Sequence, residues 1–168
     1  MTIFQCEDSP DGILTGIYEA WGSRLGHRNI RLEVGTNTNY ELFSEYREVA
    51  VSDEKAEKVA GTIKRRLGEE VWFWIYHALL SDDGGKADAV YRTVVLGLFL
   101  ADRDPANAGK LMENLKEPCI FQVFSFARAV EHEAHRYLGF VRFFFHINSS
   151  YAAHNLHQAS LENACIFI

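Results

Sequence analysis

Positive charge is in short supply in this chain. Seventeen Lys and Arg face 23 Asp and Glu, a formal charge of −6 that excludes a protein coating nucleic acid by bulk electrostatics. Cysteine is almost as scarce. Cys6, Cys119 and Cys165 are scattered without a C-x-x-C pair, which argues against a thiolate zinc site and predicts reduced thiols in a cytoplasmic protein. The N-terminus has no basic segment leading into an apolar run, so no secretory leader is expected. Long hydrophobic runs are missing as well: stretches such as Val94 to Ala101 are far too short to cross a bilayer.

What is present is apolar and aromatic. Hydrophobic residues make up 48% and aromatic residues 13% of 168 residues, enough for one globular domain with a sizeable core. Charge is spread unevenly. Residues 118–168 hold only three Lys/Arg and three Asp/Glu but five of the seven histidines. Any contact with a polyanion is therefore expected to be local and to favour the C-terminal third.

Ile3 to Cys6 reads as an opening strand, and Ser9-Pro-Asp-Gly12 as a turn whose Asp11 caps a helix from Ile13 to about Trp21. Ile30 to Val34 and Glu48 to Val51 read as short strands. The clearest helix starts at Ser52-Asp-Glu and ends at Lys64-Arg-Arg66 before Gly68, with acids first and bases last as the helix dipole prefers. An aromatic-rich helix follows from Glu69 to Ser81, and Ala87 to Ala101 is apolar on nearly every side, the mark of a central core helix. A short helix passes through Met112 and Leu115, Pro118 opens a longer one that ends at Gly139, and Phe140 to Ile147 reads as a strand. The expected fold is α+β: a single, mostly helical domain with a few short strands.

The densest chemistry lies in Arg128 to Phe143, which concentrates two His, two Glu and three Arg on a helix running into a strand. At about 100° per residue, Phe126, Ala127, Val130, Ala134 and Leu138 share one face, and Arg128, Glu131, His132, His135 and Arg136 share the other. One reading is phosphate contact. Arg128 and Arg136 are about 12 Å apart along a helix, Arg142 follows, and the planar guanidinium suits phosphate oxygens. The competing reading pairs these arginines with Glu131 and Glu133 inside the domain. A second functional reading uses Glu131 or Glu133 with His135 as acid–base groups. No metal is expected, because neither the His-Glu-x-x-His nor the Glu-x-x-His ligand spacing occurs, and no cofactor is implied.

Three smaller features carry both a functional and a plain reading. Lys64, Arg65 and Arg66 either extend a phosphate surface or complement a helix end. Glu7, Asp8 and Asp11 either bind a divalent ion or act as caps and dipole partners. Trp72, Trp74, Tyr76 and Tyr91 either stack on bases or form core with a partner-facing edge.

Four blocks in order carry a family resemblance: IFQCEDSPDGILTGIYEAW over Ile3–Trp21, DEKAEKV over Asp53–Val59, AVYR over Ala89–Arg92, and EAHRYLGFVRF over Glu133–Phe143. Together they resemble a bacterial family of DNA metabolism or DNA repair proteins, an uncharacterised domain typically encoded beside a radical-SAM protein assigned to DNA modification. In some bacteria a similar domain is joined to a uracil-DNA-glycosylase-like domain. The resemblance implies a DNA context, a radical-SAM protein as partner, and no particular reaction. It covers residues 1–143. Residues 144–168 do not resemble the family's continuation, and the 26 residues after Arg142 lack Lys and Arg altogether and hold one acid, Glu162. They are expected to form an atypical tail that either packs against something or is the product of a truncated or frame-shifted end.

The function expected from the sequence is therefore an accessory protein of DNA repair or DNA metabolism. It would contact DNA or the radical-SAM partner through residues 128–143, with Arg128, His132, Arg136 and Arg142 as the nucleic-acid contacts. The rival expectations are an enzyme acting on DNA through Glu131, Glu133 and His135, and an incomplete, inactive domain.

Overall fold

β1 (Thr2–Cys6) lies at the centre of a three-stranded parallel sheet, with β2 (Ile30–Val34) on one side and β3 (Glu45–Glu48) on the other. Thr2 is in register with Ile30 and with Glu45, and the ladders run to Cys6–Val34 and Gln5–Glu48. A central parallel strand has both faces covered, so β1 carries Ile3, Phe4 and Cys6 and is buried throughout except at half-buried Gln5. This computed structural model describes residues 1–35, 41–108, 110, 112, 118–130, 132 and 133.

Two parallel strands need a crossover, and α1 (Pro10–Gly22) supplies it between β1 and β2. Its cap is Ser9, not the expected Asp11: the Ser9 hydroxyl accepts the Gly12 amide at 3.0 Å. Proline explains the difference. Pro10 lacks an N–H and fits the first helical position, so the capping role falls to the residue before it. Thr15, fully buried on α1, accepts the Ser52 amide at 3.2 Å and so ties α1 to the start of the next helix.

α2 (Asp53–Leu67) has the expected acidic first turn and basic last turn. Gly68, at φ +97°, ends it, and α3 (Glu69–Leu79) begins at once. That backbone angle is strained for any residue with a β-carbon. α4 (Lys86–Arg103) is the core helix, with Ala87, Val90, Tyr91, Val94, Leu98 and Ala101 buried along it. It also closes the outer edge of β2. The Asp88 carboxylate accepts the Leu32 amide at 3.2 Å, and Arg92 donates to the carbonyls of His27 and Ile30. An open strand edge is thereby given side-chain partners instead of another strand.

Residues 118–130 form a further helix. Ile120, Val123 and Ala127 are its buried stripe, and Phe124 meets Trp74 edge to face at 5.3 Å between ring centroids. The strand β3 sits slightly earlier than the sequence pattern placed it, over Glu45–Glu48 instead of Glu48–Val51. The mostly helical α+β class is as expected. Among the described residues, no helix is long and apolar enough to cross a membrane. The expected strand at Phe140 to Ile147 and the tail 144–168 lie outside the described residues, and Met1–Val130 forms one compact unit.

Candidate functional site

Helix 118–130 places Arg128 on its open side. Arg128 is exposed and makes no ion pair or hydrogen bond with any described residue. Phe121, 65% exposed, lies on the solvent side of the same helix, while Phe126 and Val130 are half-buried. His132 and Glu133 are helical and exposed. Glu131, His135, Arg136 and Arg142 lie outside the described residues, and with them the acid–base grouping of Glu131, Glu133 and His135.

The smaller features take their places in the fold. Lys64 sits over the Trp72 ring at 5.1 Å, Arg66 pairs with Asp102, and Arg65 contacts the Thr62 hydroxyl, so the basic end of α2 is engaged within the domain. Asp8 pairs with Lys86 at 2.7 Å, and Glu7, Asp8 and Asp11 are all exposed. Among the described residues, no group of three or more His, Cys, Asp or Glu is placed to hold a metal ion. The proposed base-stackers divide. Tyr91 is fully buried and offers no ring face to a ligand, and Trp72 and Trp74 are half-buried against the core. Only Tyr76 is open to solvent, at 40%.

Tyr91 instead serves a local network. Its hydroxyl lies 2.8 Å from Nδ1 of His27, and the His27 ring meets Trp21 in a tilted contact at 4.7 Å between centroids. Burial pushes the Tyr91 phenol up to about 12. Burial, and then the neighbouring Arg92 guanidinium, lower the His27 pKa below its ordinary value.

A well-formed cleft among the described residues was not legible from the sequence. It is a cleft of about 430 Å3 between α1, α2 and α4. Ile17, Ile63, Val94 and Leu98 form its floor, and Tyr18 and Trp21 form one wall. The opposite wall is Lys58, Thr62 and Arg66, each one turn from the next on α2. Tyr18 is 38% and Trp21 43% exposed, so part of each ring is open to the cleft and to solvent. The signal was present but divided. The i, i+4, i+8 spacing on α2 is visible, yet nothing in the pattern says that the last turn of α1 faces it.

Residues 85–163 match a family described as a domain of unknown function, DUF4130. The matched span takes in α4 and helix 118–130, together with the Arg- and His-bearing stretch that follows. No curated protein and no solved structure matches this chain.

Proposed function

We propose that this chain is a binding protein of DNA metabolism that contacts DNA through the surface beginning at Arg128. The observation that carries the reading is the exposed Arg128 guanidinium, which has no partner among the described residues. Arginines that merely stabilise a fold are usually paired or laid over apolar surface. An open guanidinium instead suits a phosphate, which it binds through two parallel hydrogen bonds. His132, Arg136 and Arg142 extend the same stretch of sequence, and the scarcity of acids in residues 118–168 favours a local anion contact in an otherwise acidic chain. The family resemblance supplies DNA as the polyanion.

A second reading is docking to a protein partner, the radical-SAM protein in the resembled family. Phe121 favours it, because a ring 65% exposed on the helix that also carries Arg128, which has no partner among the described residues, has the make-up of an interface anchor.

The test is binding of labelled single- and double-stranded DNA across a salt series, wild type against Arg128→Ala. A phosphate contact at Arg128 is expected to contribute about 0.7–0.9 to the slope of log affinity against log salt, and the variant should lose that amount. An unchanged slope, or no binding by the folded wild type, would overturn the DNA reading. In the second case Phe121→Ala should be tested against the purified partner.

A further inference from the structure

The cleft between α1, α2 and α4 joins three properties that a packing defect has no reason to combine. Its floor is apolar, one wall presents two partly exposed aromatic rings, and the other presents two cations and a hydroxyl. Its volume, about 430 Å3, falls within the range of small-ligand sites. We propose that it binds a nucleotide, with the base between the Tyr18/Trp21 wall and the apolar floor and the phosphate at Arg66, Lys58 lying further along the same positive wall.

The chemistry selects this class among apolar ligands. An acyl chain would fill the floor, and its carboxylate could meet one cation, but it has no use for the two ring faces. A planar heterocycle stacks on Trp and Tyr whatever its sequence identity, because every base has a π face. Lys58 and Arg66 lie two turns apart on one face of α2, so the positive wall runs about 12 Å along the cleft. Both cations now hold carboxylates that do not line the cleft: Lys58 pairs with Glu54 at 2.6 Å, and Arg66 pairs with Asp102. Those carboxylates are 77% and 68% exposed, and surface pairs of this kind contribute little, so a phosphate dianion can displace them. Trp21 is also in ring contact with His27, at 4.7 Å between centroids, which restricts the indole before any ligand arrives.

The proposal is independent of Arg128, which is not part of the cleft. The same chemistry has two sources, a free mononucleotide or one nucleotide of a single strand. Both are tested by following the Trp21 indole N–H by NMR during titration with dTMP, with thymidine and with an oligothymidylate. Saturable movement of the Trp21 signal by dTMP or the oligomer is expected. Trp21→Ala, which lacks the indole probe and is followed instead by titration calorimetry, should abolish binding, and Arg66→Gln should weaken dTMP about tenfold, the loss of one charge-assisted pair. Asp102→Asn should tighten dTMP several-fold by freeing Arg66 and leave uncharged thymidine unaffected. Because Asp102 and Trp21 sit at the surface, these variants are expected to fold, as circular dichroism would verify. Equal affinity for dTMP and the oligomer identifies a free nucleotide as the source; tighter, salt-sensitive binding of the oligomer identifies a strand. No movement of Trp21 with any probe overturns the site, and binding indifferent to both Arg66→Gln and Asp102→Asn overturns the phosphate assignment. Repeating the titration in Arg128→Ala separates this site from the helix 118–130 surface: an unchanged result there leaves the cleft proposal standing whatever becomes of the other.

Discussion

Gly16 of α1 and Cys6 of β1 lie in such close contact that a β-carbon at position 16 would stand 2.2 Å from the Cys6 sulfur. The crossover helix can therefore sit on the central strand only because one of the two residues has no side chain. Gly16→Ala would ordinarily favour a helix by about 1 kcal/mol. Here the overlap dominates, and a net loss of about 1–3 kcal/mol is expected in urea unfolding. Cys6→Ala removes the obstacle and leaves the new methyl in ordinary contact, 3.4 Å from Leu32 and 3.7 Å from the position 6 β-carbon. The double variant should accordingly be more stable than Gly16→Ala alone. Additive losses would show that the clash is not the cause. Burial also pushes the Cys6 thiol up to about 12, so alkylation of the native protein at neutral pH should spare it.

The edge of β2 gives a second test. Asp88 and Arg92, one turn apart on α4, hold the Leu32 amide and the Ile30 carbonyl, and Arg92 holds the His27 carbonyl besides. Arg92→Met keeps the bulk but strands two acceptors. Water can reach part of this edge, so the cost should be about 1–2 kcal/mol in place of the full penalty for buried groups. Asp88→Ala should leave the Leu32 amide exchanging with solvent measurably faster than in wild type. Unchanged exchange at Leu32 would mean that α4 does not protect the edge in solution.

Legibility followed the strength of local signals. α2 was plain because acids, bases and Gly68 all agree on its limits, and α4 because an apolar run of that length has nowhere to go but the core. β3 was misplaced because EYRE carries no apolar alternation; it is held by main-chain pairing with β1 and has one polar, open face. The α1 cap was misassigned because Asp11 and Ser9 both suit the role, and only the lack of an N–H on Pro10 decides between them. Arg128 was picked out by local sequence alone and is indeed exposed. The cleft was not, since Trp21 looks like a helix-end apolar residue and Arg66 like a dipole partner until tertiary packing sets them opposite each other.

His27 should make stability depend on pH on the acid side. Its native pKa lies below the ordinary value of about 6.5, from burial first and Arg92 second. Between the native pKa and about 6.5 the unfolded chain binds the proton and the folded chain does not. Stability is therefore full above about 6.5 and falls as pH drops through that window. His27→Gln should flatten this part of the profile in urea midpoints taken from mildly acid to neutral pH. A variant that loses stability in parallel with wild type would assign the acid slope to other groups.

Lys86 poses an asymmetric case. The residue is 5% exposed, yet its ammonium sits in the first turn of α4, where the helix dipole disfavours a cation. It is held there by the Ser81 carbonyl and by the Asp8 carboxylate at 2.7 Å, which joins the end of β1 to the start of α4. Asp8 itself is 63% exposed and loses little if left alone. The two halves of the pair should therefore differ sharply on removal. Asp8→Ala leaves a buried ammonium with one partner fewer and should cost about 1–3 kcal/mol. Lys86→Met fills the same space with an apolar chain and relieves the dipole conflict, so its cost should stay within about 1 kcal/mol. Thermal melts of the two variants decide the matter: collapse of Lys86→Met beside a neutral Asp8→Ala would mean that the ammonium, through Ser81, is what locks the turn, and that the carboxylate is incidental.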